Sequence, residues 1–399
     1  FVLVNREYFG ELEAGEKRSS SKQGFVRSRS CANTWSAHSI RFDLVLTAVS
    51  YMMFPRLTLP DGSLFSVPDN VTEHLSLAPG TDDARCCSSL SGGWLVLVRD
   101  CRSDRRDHAK RVAPRHGCRG ASCCCFLVNI FSKAIVPLPE LAAIHHEIEA
   151  SIFIDKIVAS KDPDNGSCLF AVMIHGDDDI TLCRPGKGSC VAELDQAVVD
   201  MVFSNGSLFV LTEGEGLYVL ELAEGNDGKP VVSTVEQLIG DCHYPSFPIL
   251  DIWGSQTVEE RYLRHYLVES CGQLLMVRRW LDDPYEVHAG DGDRTLSFEV
   301  FKLNSKRAGW MEQKGLDGKT LLLSMRGSVL VSSSSCEGAR ADCIYFVYDA
   351  MARQAMVEDP FHDSGVYSMM DSTMMPFPRA AAPCRGRWFP TWLSVEAVR

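Results

Sequence analysis

From residue 54 onward the chain is cut into runs of Val, Leu, Ile, Phe and Tyr, five to seven residues long, separated by clusters of Gly, Asp, Asn and Pro. Short β-branched and aromatic runs between turn formers are the pattern of many antiparallel strands. Four segments look alike: Gly62-Ser-Leu-Phe-Ser-Val67, Gly93-Trp-Leu-Val-Leu-Val98, Gly206-Ser-Leu-Phe-Val-Leu211 and Gly272-Gln-Leu-Leu-Met-Val277. Each places a glycine turn before an apolar strand. In the third, Asn205-Gly206 lies between Asp200-Met-Val-Phe203 and Leu208-Phe-Val-Leu211. Asn-Gly suits a type I′ hairpin because both central residues of that turn need positive φ.

Leu217-Tyr-Val-Leu-Glu-Leu222 supplies a third strand after this hairpin, and Val231 to Ile239 a fourth. Four antiparallel strands make one propeller blade. Comparable material recurs in Ile152 to Leu194, Arg261 to Met311 and Thr320 to Phe377, imperfectly, every 50 to 75 residues. The expected fold class is all-β: a β-propeller of four-stranded antiparallel blades, behind a short, partly helical or disordered N-terminal segment. Radial stacking would shield most sheet edges. Two separate β-sandwiches remain the alternative, since strand-rich texture does not fix closure. Long helices are scarce, and Leu138 to Ala150 is the best candidate.

Composition narrows the function classes. Apolar residues make up 45% of the 399 and charged residues 23%, as in an ordinary folded protein. No apolar run approaches the roughly 20 residues of a membrane span, and the N-terminus lacks the n-region, h-region and cleavage site of a secretory signal. Sixteen cysteines in so long a chain read as reduced, mostly buried thiols, so the sequons at Asn70, Asn165 and Asn205 stay unglycosylated. The expected setting is cytoplasmic or nuclear. Net charge is −12. Residues 1–53 carry +2 and residues 99–119 carry +5, leaving −19 on the rest, which repels phosphate backbones and argues against nucleic-acid binding.

Several segments have the look of chemistry and lack its spacing. The Cys101, His108, His116, Cys118, Cys123, Cys124, Cys125 cluster does not form the paired Cys-x2-4-Cys ligands of structural zinc; a flexible basic insert over 99–124, leading into a strand from Cys125 to Asn129, fits better. Arg105-Arg106 and Lys110-Arg111 within it read as solvated charge. Arg184-Pro-Gly-Lys-Gly-Ser189 has neither the first glycine nor the terminal hydroxyl of a phosphate loop, and reads as a hairpin turn. His145-His146-Glu147 lacks the second histidine of a zincin helix. Asp177-Asp178-Asp179 lacks the glycine and glutamate of a calcium loop. His362-Asp363-Ser364-Gly365 resembles a nucleophile segment without the elbow that such a serine needs. No catalytic, cofactor or metal residue is assigned.

Phe126-Leu-Val-Asn-Ile-Phe-Ser132 followed by Ile135-Val-Pro-Leu-Pro139 is similar to a blade element of plant F-box-associated propellers. Leu211-Thr-Glu-Gly-Glu-Gly-Leu-Tyr218, Tyr266-Leu-Val-Glu-Ser-Cys-Gly-Gln-Leu-Leu-Met-Val-Arg-Arg279, Leu296-Ser-Phe-Glu-Val-Phe301, Asp363-Ser-Gly-Val-Tyr367 and Trp388-Phe-Pro-Thr-Trp392 resemble the signatures of the KIB-type β-propeller of plant F-box (kelch-like) proteins. The resemblance runs over residues 54–393, with 394–399 as a tail. Val26-Arg-Ser-Arg-Ser-Cys-Ala-Asn-Thr-Trp-Ser-Ala37 resembles the end of an F-box, which marks 1–53 as a leader with a partial F-box-like remnant. The resemblance implies a substrate receptor of a Skp-cullin-F-box ubiquitin ligase, with Val26, Cys31 and Trp35 as contacts to the Skp adaptor.

The expectation is therefore a non-catalytic protein-binding propeller, with loops at one rim carrying specificity. Arg278, Arg279 and Trp280 form the most binding-like short stretch, because Trp and Arg dominate interface hot spots. Trp253, Trp280, Trp310, Trp388 and Trp392 read individually as blade core. The Trp388 to Leu393 segment is expected to pair with the segment from Phe54 and fasten the first blade to the last. The alternatives are a propeller hydrolase with a channel site and a non-functional divergent copy.

Overall fold

A computed structural model describes residues 56–100, 123–139, 154–241, 262–282, 295–349, 361–377 and 390–393, with interruptions at 60, 68–69, 76, 78–80, 82–83, 164–165, 175–178 and 335–337. The first sheet contains β1 (Arg56–Thr58), β2 (Ser63–Ser66) and β3 (Val71–His74). The second contains β4 (Arg85–Leu90), β5 (Trp94–Asp100), β6 (Cys123–Asn129) and β7 (Ile135–Pro137). The third is β8 (Ile154–Ala159), β9 (Phe170–Ile174), β10 (Ile180–Arg184) and β11 (Gly188–Ala192). The fourth is β12 (Val198–Ser204), β13 (Ser207–Thr212), β14 (Leu217–Glu224) and β15 (Pro230–Ile239). The fifth is β16 (Tyr262–Ser270), β17 (Gln273–Leu281), β18 (Thr295–Asn304) and β19 (Gly309–Gln313). The sixth is β20 (Lys319–Leu323), β21 (Val329–Ser332), β22 (Cys343–Phe346), β23 (Gly365–Ser368) and β24 (Thr373–Pro376).

The apolar runs explain how these sheets close into a ring. Successive strand residues point to opposite faces, so an unbroken apolar run serves two neighbours at once. In β9, Phe170, Val172 and Ile174 pack towards the second sheet, while Ala171 and Met173 pack towards the fourth. In β17, Leu274 and Met276 face the fourth sheet, and Leu275 and Val277 face the sixth. Leu64 and Phe65 of β2 divide in the same way between the second and sixth sheets. Every gap between neighbouring sheets holds its own buried cluster, and the last closes the first against the sixth. The fold is a six-bladed β-propeller. Each fully buried Leu, Val or Phe in these gaps contributes roughly 1.5–3 kcal/mol.

Four blades are the expected four-stranded antiparallel meanders, and two are not. The first has three strands, completed by the C-terminal segment: Leu57 bridges Trp392, the Thr58 N–H donates to the Thr391 carbonyl at 3.0 Å, and the Leu393 N–H donates to the Arg56 carbonyl at 2.9 Å. The sixth has five strands in the order β21-β20-β22-β23-β24, and β20 runs parallel to β22, with Thr320 opposite Cys343. An extra strand has been inserted beside the innermost one. The expectation that every blade is an antiparallel four-stranded unit fails there.

Local turn chemistry follows the sequence. Asn205 (φ 51) and Gly206 (φ 91) are the paired positive-φ residues that the hairpin requires, with Ser204 opposite Ser207. Pro185 to Lys187 turn β10 into β11 as expected. Strand β5 continues to Asp100 and β6 begins at Cys123, so both ends of the basic insert are strand. Cys125 is buried in β6, whereas Cys101, His108, His116 and Cys118 lie outside the described residues, as do residues 140–150 of the helix expected from Leu138 to Ala150, the histidine pair near 145 and the leader with Val26, Cys31 and Trp35. Among the described residues no helix is long and apolar enough to cross a membrane.

Strand direction alternates within the blades, which separates two rims. The turns β4–β5, β10–β11, β12–β13 and β16–β17 share one. The strand ends joined through 101–122, 140–153, 242–261, 283–294, 350–360 and 378–389 share the other.

Candidate interaction site

The Arg278-Arg279-Trp280 stretch lies in β17 and ends at the long-connection rim. Alternation splits it. Arg278 and Trp280 face the fourth blade and are half-buried, while Arg279 turns into the gap towards the sixth blade and is 1% exposed. Arg279 therefore cannot meet a partner at the surface, and the expectation for this residue is corrected.

Its donors are engaged internally. Nε donates to Thr295 Oγ1 at 2.8 Å, Nη1 to the Val347 carbonyl at 2.9 Å, and Nη2 to Asp363 Oδ2 at 2.8 Å. Asp349 Oδ2 lies 3.3 Å from Nη1 and accepts the Tyr266 hydroxyl at 2.6 Å. Burial works against the charge on Arg279, yet Tyr266, Asp363 and Asp349 carry its pKa above the ordinary arginine value. Burial, with Asp349 alongside, raises the Tyr266 hydroxyl. The His362-Asp363-Ser364-Gly365 segment supplies Asp363, and Ser364 Oγ accepts the Tyr348 N–H at 2.8 Å. Its serine shapes a turn.

Arg278 is the rim-side counterpart. Its Nε and Nη2 make a fork on Glu215 at 2.5 and 2.6 Å, its Nη1 reaches Glu299 at 3.1 Å, and its guanidinium stacks on Phe301 at 4.4 Å. Glu215 also bonds His265 Nε2 at 2.8 Å, and its carbonyl accepts the Trp310 indole N–H at 3.0 Å. One buried carboxylate on the β13–β14 turn thus fastens the fourth blade to the fifth. Glu215 lay within a segment singled out for resemblance, but nothing in its spacing paired it with Arg278.

The propeller axis is polar and is laced by bonds between blades. Lys156 Nζ lies 2.5 Å from Asp200 Oδ1, and the Leu267 N–H donates to Asp200 Oδ2 at 2.7 Å, joining three blades. Burial pushes the Asp200 carboxyl upward, while Lys156 and the backbone donors pull it down. Arg326 reaches from the sixth blade to carbonyls of the second and third. Among the described residues no group of His, Cys, Asp and Glu is placed to hold a metal ion. Of the tryptophans, Trp392 is core, Trp280 and Trp310 are half-buried, and Trp253 and Trp388 lie outside the described residues.

The model of the KIB1-4 β-propeller matches residues 64–368, from β2 to the end of β23. This chain belongs to the KIB1-4 β-propeller family. The match spans the six blades apart from the first strand, the last strand and the C-terminal bridge. No curated protein matches the chain. Among solved structures, one from a nidogen/laminin complex is 9% identical, covering 86% of this chain and 99% of that chain with a TM-score of 0.36. The Cps50 (Swd1) β-propeller domain of Myceliophteria thermophila is 10% identical, covering 81% and 82%, with a TM-score of 0.29. The N-terminal domain of Nup159 is 7% identical, covering 84% of each chain, with a TM-score of 0.26. These likenesses are weak, and the strand pairings themselves define the fold.

Proposed function

We propose that this KIB1-4 propeller is a non-catalytic module that holds a protein partner at its long-connection rim, and that the whole chain acts in the cytoplasm or nucleus as a substrate receptor of a Skp-cullin-F-box ubiquitin ligase. The observation that carries the first part is the division between rims. Six connections of eleven or more residues join strand ends at one rim, above blades packed on one another through buried apolar clusters. Recognition on a rigid scaffold is drawn from such connections. Arg278 and Trp280 stand at that rim as contact residues, Trp280 supplying aromatic surface and Arg278 a guanidinium already oriented by Glu215.

The axial groups support a binding role over channel chemistry. An enzyme site needs polar groups converging on a space for substrate. Here Lys156 pairs with Asp200 near the axis, and Arg279 pairs with Asp349 and Asp363 between the fifth and sixth blades, so each group is taken up by its neighbours.

The ligase part rests on the F-box-like segment around Val26, Cys31 and Trp35. Its test is co-precipitation of the purified chain with Skp adaptor proteins, beside a variant lacking residues 1–53. Capture by the full chain and not by the shortened one is the expected result. Capture by neither overturns the ligase reading and leaves the propeller as a free-standing adaptor.

A further inference from the structure

The turn from Ser324 to Ser328 joins β20 to β21 and braces itself. Ser324 Oγ donates to the Gly327 carbonyl at 2.9 Å, Ser328 Oγ donates to the Ser324 carbonyl at 2.7 Å, and the Met325 N–H donates to Asp349 Oδ1 at 3.0 Å. Arg326 at its tip is 3% exposed although it leaves its own blade altogether. Its Nη1 donates to the Cys87 carbonyl in β4 at 3.3 Å and to the Ile154 carbonyl in β8, its Nη2 faces Asp155 at 3.9 Å, and its own carbonyl accepts the Ser88 hydroxyl. One side chain of the sixth blade therefore reaches past the first and binds the second and third.

The same turn touches the C-terminal bridge. A Cβ at Gly327 would lie 2.8 Å from Ser89 Oγ, 3.1 Å from the Ser89 carbonyl and 3.2 Å from Thr391 Oγ1, so glycine is what lets the turn pass between β4 and the bridge. Ser89 Oγ lies 3.0 Å from Thr391 Oγ1 and donates to the Trp392 carbonyl at 2.5 Å, and the Trp392 indole N–H donates to the Leu323 carbonyl at 3.0 Å. Bridge, turn and innermost strands form one hydrogen-bonded unit.

We propose that Arg326 is a keystone, an internal guanidinium ligand that occupies a site built by blades two and three and thereby holds the C-terminal bridge shut. The two backbone carbonyls are bonded by one guanidinium nitrogen, and the Asp155 carboxylate lies 3.9 Å from the other as an ion pair, an arrangement that suits a planar, delocalised guanidinium better than a lysine ammonium. With the guanidinium withdrawn, these acceptors face one another across a desolvated space, and the bridge that shares Ser89 with the turn loses its support. Opening starts at the bridge and leaves the fourth blade intact.

The experiment is hydrogen exchange on the full chain and on Arg326→Ala, with and without methylguanidinium at concentrations well below denaturing. Amides of β1 and of Thr391 to Leu393 are expected to exchange about tenfold faster or more in the variant, those of β13 and β14 to stay unchanged, and methylguanidinium to restore the protection where sodium chloride does not. Unchanged exchange at the bridge, or equal loss throughout all blades, overturns the proposal. Should Arg326→Ala not fold, refolding with methylguanidinium decides the matter: recovery supports the keystone, and failure overturns it. Arg326→Lys is expected to behave as the alanine variant, and wild-type protection in it also counts against a guanidinium-specific site.

Discussion

Arg279 Nη2 lies 2.8 Å from Asp363 Oδ2, 84 positions away along the chain, and both side chains are almost wholly buried. This pair ties the middle of the fifth blade to the approach to β23. The Thr295 hydroxyl and N–H donate to the same carboxylate, at 2.8 and 3.0 Å.

Removing Arg279 leaves Asp349 and Asp363 buried without their shared cation, and Arg279→Met is expected to lose about 3–5 kcal/mol in urea unfolding. Asp363→Asn leaves Arg279 paired with Asp349 and is expected to lose less, about 1–3 kcal/mol. Arg279→Lys is expected to fall with Arg279→Met, because an ammonium cannot reach Thr295, Val347 and Asp363 together. A lysine variant of wild-type stability would show that charge alone matters at this position.

The C-terminal bridge is a separate source of cohesion. Trp392 packs among Leu57, Tyr345 and Phe377 in the gap between the first and sixth blades, edge-on to both aromatic rings. Trp392→Ala is expected to cost about 3–5 kcal/mol, and deletion of residues 386–399 to lower the thermal midpoint at least as far. A deletion variant that melts with the full chain would mean that the ring is held without its bridge.

Much of this architecture was legible in the chain. Asn205-Gly206 announced its hairpin because only a few residues accept positive φ at both positions. The glycine-led apolar runs of β5 and β17 marked strands, and the expected pairing of the tail with the segment from Phe54 is met by the Leu57–Trp392 bridge. The inserted β20 was not legible, since Lys319 to Leu323 is a short apolar run like those of other blade strands and only long-range pairing shows it parallel to β22. The Arg278-Arg279-Trp280 stretch drew notice for its residue types, but strand parity, not composition, turns Arg279 inward. Glu215 and Asp363 escaped pairing because their partners lie 63 and 84 residues away.

Asp371 gives a pH-dependent signature on the β23–β24 turn. Hydrogen bonds from the Ser368 and Thr373 side chains hold its carboxyl below the usual aspartate range, and Thr373 Oγ1 lies 2.8 Å from Oδ1. A carboxyl depressed by folding contributes stability above its unfolded value, near ~3.9, and loses that contribution as pH falls through the folded value. Asp371→Asn is thus expected to be less stable than the parent chain at pH 6, with the gap in urea midpoints closing as pH drops below the ordinary aspartate range. A gap that stays constant with pH would assign the effect to turn geometry instead of charge.

Glu215 separates backbone strain from ion pairing at a single position. It sits at φ 62, where a side chain carries a steric cost that glycine escapes, yet its carboxylate receives Arg278 and His265 in a nearly dry gap. Glu215→Ala keeps the strain and removes the acceptor, and is expected to cost about 1–3 kcal/mol, since Arg278 at the rim keeps Glu299 while the buried His265 loses its carboxylate. Glu215→Gly removes both and should be less damaging by about 1 kcal/mol. Glu215→Gln keeps the shape and loses the charge, so it should fall between the parent and alanine. Equal losses for alanine and glycine in denaturant unfolding would show that the turn is unstrained. A glutamine variant as stable as the parent would show that Glu215 fastens the two blades by shape and neutral hydrogen bonds, with its charge adding nothing.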